Sequence, residues 1–300
     1  MVRLFKLLAR FPLPLLRALG SLLGVWVWLS SKRSRGLLLG NLAKARAWAR
    51  DEGWQLPKRL RLSAISRAGW LVTELPTIWA RPAHWERIMI VGIENIDSLL
   101  AQGRGLIILT PHLGAFELGP RLFARHHPIS IMYRPARHPR MEAVLRAFRP
   151  SSRIKTVPAN GTGVRHFVRT LRSGGVVGLL PDQVPSAGEG VWAPFFGKPA
   201  YTMTLPLRLA HMTGAPIVWA LVKRVPGNWS MSMHGWQPGM DPSQAIAAED
   251  WVSAAGLMNQ QVEALVMLAP QDYLWTYNRY RMPRPAETFM DKPANHRGAF

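Results

Sequence analysis

His112 and Glu117, in the stretch Thr110-Pro-His-Leu-Gly-Ala-Phe-Glu117, form a His-x4-Glu pair directly after the apolar run at 106–109. That run reads as a buried strand. A carboxylate that fixes the tautomer of an imidazole leaves the other ring nitrogen free to take a proton, the usual construction of a general base. The pair therefore points to chemistry on an alcohol. Side chains five residues apart in one regular helix lie well apart around its axis. The arrangement expected is thus a strand, a turn carrying His112, and a first helical turn carrying Glu117. Pro111 favours the turn, and Gly114 leaves backbone room for a substrate. The spacing equally accommodates a histidine and a glutamate satisfied separately.

The elements that must position this pair alternate along the chain. Strands are predicted at 88–91, 106–109, 129–133, 176–180, 217–222 and 230–233, with helical stretches near 140–149, 163–172, 204–212 and 243–268. Such alternation predicts an α/β fold, a central mixed sheet flanked by helices. Pro181-Asp182-Gln183 ends one strand, at the edge where α/β sheets collect catalytic groups, so Asp182 is a second site candidate; capping a turn is its structural alternative. Arg134 follows another strand, and Arg149 closes the next helical stretch. A guanidinium suits a phosphate or a developing oxyanion, although most arginines in so basic a chain are solvated or lipid-facing.

Other motifs are excluded. Gly188-x-Gly190-x-x-Ala193 fits a loose dinucleotide pattern but runs into Pro194 without a preceding strand, and reads as a loop. There is no Gly-x-Ser-x-Gly elbow, Walker loop or His-Glu-x-x-His helix, and His126-His127 lacks a carboxylate at ligand spacing. The chain has no Cys, which removes thiol nucleophiles, disulfides and Cys-bound zinc. Neither a metal nor a cofactor is expected.

A formal charge of +21, from 38 Lys and Arg against 17 Asp and Glu, requires anionic partners. Thirteen Trp against five Tyr favour a bilayer interface over nucleic acid, for which no stacking motif is laid out. Residues 11–29 are nearly long and apolar enough to cross a bilayer, although Arg17, Pro12 and Pro14 interrupt them. No small-residue cleavage site follows, since Ser30-Ser31 leads into Lys32-Arg33-Ser34-Arg35; the segment reads as a retained membrane anchor, spanning or partly embedded. The excess of basic residues after it places the body on the cytoplasmic side. Residues 36 to about 80 are helical in pattern. The expected organisation is an anchor with its basic flank (1–35), a catalytic domain (36–282) and a mobile tail (283–300).

With His112/Glu117, Tyr133-Arg134-Pro135, Arg149, Pro181-Asp182-Gln183, Pro194-Phe-Phe-Gly197 and Pro270-Gln-Asp-Tyr-Leu-Trp275 in this order, the chain resembles the late acyltransferases of lipid A biosynthesis, within the wider lysophospholipid acyltransferase superfamily. The resemblance runs to about Arg281. It implies an inner-membrane enzyme that moves a fatty acyl chain from an acyl carrier protein thioester to a hydroxyl of a lipid A precursor. It also implies His112 as base, Glu117 as its orienting carboxylate, and supporting roles for Arg149 and Asp182. Arg134, Gly114, Gln183, Phe196 and Gly197 fall in the matching elements and are expected to line the substrate site. Two departures touch the acceptor: Gly114-Ala-Phe-Glu117 stands where the family commonly has Gly-Asn-Trp-Glu, and His138-Pro139 where it has Asn-Pro. An acyltransferase acting on a lysophospholipid, glycosylated lipid or aminolipid is the nearest alternative; a non-catalytic basic protein that binds membrane lipid is the alternative from another class.

Overall fold

The computed structural model describes residues 2–133, 148 and 152–285. Arg134, Arg149, most of the stretch expected to be helical at 140–149, and the tail from residue 286 lie outside the described residues.

A seven-stranded mixed sheet organises the chain. Its strands are β1 (Ile90–Val91), β2 (Leu106–Leu109), β3 (Ile129–Tyr133), β4 (Ile154–Pro158), β5 (Val176–Leu179), β8 (Ile217–Val225) and β9 (Asn228–His234), in the order β1-β9-β8-β2-β5-β3-β4. The pairs β8/β2, β2/β5, β5/β3 and β3/β4 are parallel; β8/β9 is an antiparallel hairpin. Central parallel strands are covered on both faces and so read as unbroken apolar runs. In β2, Ile107 and Leu109 enter one buried cluster while Leu106 and Ile108 enter the other. The first face is covered by α3 (Lys32–Asp51), α4 (Leu60–Ala68), α9 (Gly161–Arg172), α10 (Leu205–Thr213) and α12 (Trp251–Leu268). The other is covered by α6 (Leu75–Ala80), α7 (Ile93–Leu100) and α8 (Gly119–Phe123).

Two differences from the sequence reading have clear causes. The glycine-containing stretch read as a loop is strand β6 (Gly190–Phe195), paired antiparallel with β7 (Lys198–Met203) in a separate ribbon. Its prolines, Pro194 and Pro199, face each other in register. Proline is tolerated there because each strand of a two-stranded ribbon has an unpaired edge. The helical stretch at 243–268 is divided into α11 (Ser243–Ala247) and α12, with Glu249 at φ 54° and Asp250 capping Ser253.

At the N-terminus, α1 (Val2–Leu8) leads into α2 (Leu13–Ser30), the apolar helix expected as an anchor. Helix α2 packs on α4 and α5 (Trp70–Thr73) through glycines that bring backbones together. Arg17 is buried, not lipid-facing. It pairs with Glu74 at 2.8 Å, donates to the carbonyls of Val225 (2.6 Å) and Asn228 (2.8 Å), and lies over the rings of Trp70 and Trp229. A buried guanidinium is tolerable because every part of it is paired or stacked.

Candidate active site

The register of β2 and β5 builds the site. Leu109 pairs with Leu179, so the residues three positions further on, His112 and Asp182, emerge side by side at the C-terminal edge of two parallel strands. His112 Nδ1 lies 2.7 Å from Asp182 Oδ1, and the His112 backbone N–H donates to Asp182 Oδ2 at 2.9 Å. Asp182 is 3% exposed. Burial opposes its charge, but the His112 imidazole and N–H, with Arg279 beyond, outweigh burial and hold the carboxyl below the ordinary aspartate value. An ionised Asp182 accepts the Nδ1 proton, which leaves Nε2 as the lone-pair nitrogen. Gln183 Nε2 sits 2.9 Å from it and donates in that tautomer, and Phe116 packs edge-on against the ring at 4.8 Å.

The expected partner of the imidazole was Glu117, yet the carboxylate on Nδ1 is Asp182. Residues Phe116–Leu118 form a short 3-10 turn that leads into α8, and this carries Glu117 to the wall of the cavity that His112 faces. At Gly114, φ 66°, a Cβ would stand 1.9 Å from the Val222 carbonyl, so β8 fills the space on that side of its backbone. Phe196 and Gly197 are the two-residue turn between β6 and β7, at φ 45° and 66°. A left-handed Phe is strained. It is held by the buried rings of Phe195 and Trp275, by the half-buried ring of Trp48 and by its N–H donated to Glu263; neither turn residue lines the cavity. Burial pushes the Glu263 carboxyl up to about 7, against the Phe196 N–H.

The cavity has a volume of about 700 Å³. Its polar wall includes His112, Glu117, Gln183, Arg208, Tyr277 and Arg281; Met132, Val164, Leu179, Val184, Met203 and Leu205 supply apolar surface. A smaller apolar space bordered by Phe116, Glu117, Met132, Leu179 and Leu180 runs between the sheet and α8 towards Phe123 and Met231. A long apolar ligand with a polar reacting end matches this division.

Sequence reasoning assigned no role to Arg208, Tyr273, Tyr277, Arg279 or Arg281. The segment 270–281 folds back on the His112 turn: Gly114 N–H donates to Asp272 O (3.1 Å), Leu274 N–H to His112 O (3.1 Å), and Val184 N–H to the Tyr277 hydroxyl (2.9 Å). Tyr273 is buried beside Asp182; burial and that charge push its phenol well above the ordinary value. Arg279 is 2% exposed and donates to Tyr201 O and Thr202 Oγ1, both at 2.7 Å. The available signal was the motif Pro270-Gln-Asp-Tyr-Leu-Trp275, recognisable by resemblance but not by its chemistry. Among the described residues, no cluster of three or more His, Cys, Asp or Glu could hold a metal.

The family described as bacterial lipid A biosynthesis acyltransferase matches residues 1–282. The chain is 26% identical to a lipid A biosynthesis acyltransferase of Haemophilus influenzae, over 95% of this chain and 87% of that protein. It is 26% identical to the lipid A biosynthesis lauroyltransferase of Escherichia coli, over 92% and 88%. A phosphatidylinositol mannoside acyltransferase of Mycobacterium tuberculosis is 27% identical over about half of each chain (49% and 48%).

Proposed function

The chain belongs to the bacterial lipid A biosynthesis acyltransferase family and is an acyltransferase of lipid A or a related lipid; from that premise we propose that it transfers a fatty acyl chain from an acyl carrier protein thioester to a hydroxyl of a lipid A precursor, with His112 as general base. The observation that carries this reading is the His112–Asp182 pair at the wall of a cavity that joins polar and apolar surface, with Nε2 next to Gln183 on the same wall. The acceptor hydroxyl displaces the Gln183 amide from Nε2 and gives its proton to that nitrogen as its oxygen attacks the thioester carbonyl carbon. The tetrahedral intermediate then collapses: the C–S bond breaks and the imidazolium returns its proton to the departing thiolate. Asp182 stays ionised, fixes the tautomer and stabilises the imidazolium. Glu117, Arg208 and Arg281 line the space in which the substrates meet. The resemblance adds Arg134 and Arg149 to these as substrate or oxyanion contacts.

The acyl chain would occupy the apolar walls, and the positive charge of the chain would favour an acidic carrier, a phosphorylated acceptor and an anionic bilayer. On this reading the enzyme works at the inner membrane with its catalytic body in the cytoplasm. The likeness to the mannoside acyltransferase favours, as a second reading, the same chemistry on another lipid hydroxyl. The test is lipid analysis by mass spectrometry of a source strain lacking the chain, complemented with wild type or His112→Ala. Loss of one acyl chain from lipid A, restored only by wild type, supports the proposal. Loss of acylation from another lipid moves the acceptor, and restoration by His112→Ala overturns the role of the base.

A further inference from the structure

Helix α2 has two opposite faces, and their chemistry is the reverse of a water-facing helix. Leu13, Leu16, Arg17, Gly20 and Gly24 face the body and are buried. Leu15, Leu19, Leu22, Trp26 and Leu29, at alternating steps of four and three, form an exposed ridge on the other side. A helix between protein and water places its apolar stripe inward and its polar residues outward. Here the charged residue points inward, and the outward ridge is wholly apolar. Neighbouring segments of the same N-terminal layer expose Leu4, Leu7, Phe11, Leu62 and Val72. Exposed apolar surface on this scale needs a covering partner.

The docking of α2 decides how a bilayer can serve as that partner. A Cβ on Gly69 would lie 1.9 Å from the Gly20 carbonyl, and one on Gly24 would lie 2.2 Å from the Ile65 carbonyl. Backbones this close leave no room for lipid between α2 and the segment α4–α5, and Arg17 fastens the same face to Glu74 and β8–β9. If α2 crossed a bilayer, α4 would have to enter with it. Helix α4 has nine residues, including Arg61 and Arg67, and a helix of that length covers roughly 14 Å of a hydrocarbon core of about 30 Å. Exposed Lys6 and Arg10 precede α2, and exposed Lys32 and Arg33 follow it, so both ends of the ridge carry charges suited to lipid phosphates.

We propose that α2 does not span the membrane: it lies along one leaflet of an anionic bilayer with its ridge embedded, and both of its ends stay on the side of the catalytic body. This rests on the membrane reading given above and fixes its geometry as one-sided attachment. It also brings the site to the lipid surface, because Ala68 and Leu71 of the layer that packs on α2 wall a small cavity together with His112, Gly114 and Phe116.

The absence of Cys makes the test direct. Single substitutions Lys6→Cys, Arg33→Cys and Arg172→Cys, the last on the exposed body, are made in the full chain. Each protein is added to preformed sealed vesicles of phosphatidylethanolamine and phosphatidylglycerol and treated with a membrane-impermeant maleimide. All three should label equally before detergent is added. Labelling of Lys6→Cys or Arg33→Cys only after detergent would establish a spanning helix and overturn the proposal. Leu22→Asp, on the ridge, should lower vesicle flotation at least tenfold without changing the melting temperature; unchanged flotation, or a detergent-free dimer that fails to float, would overturn it as well. Acyl transfer measured on the same preparations separates the two readings: normal turnover with opposite-side labelling removes the topology and leaves the proposed function standing.

Discussion

Replacing Asp182 by Asn tests the proposed base most sharply, because it removes the charge while nearly preserving shape. The carboxylate accepts two N–H groups of one residue, Nδ1 at 2.7 Å and the backbone amide at 2.9 Å. An asparagine can accept only one of them with its oxygen; whichever way it turns, its NH2 faces a donor or forces the imidazole into the other tautomer. In the proposed mechanism His112 becomes an imidazolium beside the carboxylate. At an effective dielectric of about 20, opposite charges about 3 Å apart attract by about 5 kcal/mol. A charge-assisted hydrogen bond judged by its net effect sets the lower bound at about 1.5–3 kcal/mol. Since each 1.36 kcal/mol is tenfold in rate, Asp182→Asn should lower kcat by about 10–10⁴, with KM moved far less. The assay is transfer of a radiolabelled acyl chain from acyl carrier protein to a lipid A precursor, run with Glu117→Gln alongside and with melting temperatures to exclude unfolding. Glu117→Gln should reduce the rate less than Asp182→Asn does. A folded Asp182→Asn enzyme within tenfold of wild type, or a larger loss from Glu117→Gln, would refute the assignment of Asp182 as the orienting carboxylate.

The other predictions concern stability. Glu263, pushed up to about 7 by burial, binds a proton in the folded state that the unfolded chain releases. Its contribution is therefore full below about pH 4.5 and lost as pH rises to about 7, a change of about 3 kcal/mol; Glu263→Gln should flatten thermal stability across pH 5–8 and raise it at pH 8, whereas parallel curves would contradict this. Gly114→Ala meets both a left-handed backbone and the Val222 carbonyl, so it should cost more than about 3 kcal/mol and be seen as a lower denaturant midpoint. Arg17→Ala leaves Glu74 buried with only Arg224 beside it and should cost about 3–5 kcal/mol. An unchanged melting temperature in that variant would mean that Arg17 is not the docking contact described.

The central strands beneath the site were legible because 106–109 and the run read at 176–180 are apolar and, over 106–109 and 176–179, buried on both faces. Strand β4 was not, since Lys155 and Thr156 interrupt it at the edge of the sheet, and paired prolines disguised the β6–β7 ribbon. The His112 turn was legible by resemblance and by its place after β2. The carboxylate that contacts it was not legible, for a physical reason: spacing along the chain points to Glu117, five residues away, whereas the contact with Asp182, seventy residues away, exists only through the β2–β5 register. Arg17 looked like a flaw in a membrane span because hydropathy averages around a helix and cannot tell an inward arginine from an outward one.

The same distinction between local pattern and long-range register explains why the His112 turn is held so firmly. The backbone N–H groups of residues 112, 114 and 115 go to Asp182, Asp272 O and Val222 O, three partners from three separate parts of the chain. A turn satisfied in this way cannot shift its backbone without breaking contacts to β8 and to the C-terminal segment, while Asp182 and Gln183 hold the ring itself. The Asp272 carboxylate in turn pairs with Arg67 and Arg224, and Glu74 pairs with Arg224 and Arg17, so alternating buried charges run from the docked face of α2 to the backbone beside His112. Preorganisation lowers the reorganisation needed when charge develops in the transition state. The C-terminal segment and the N-terminal helix thus belong to the frame that holds His112, although neither contributes that residue.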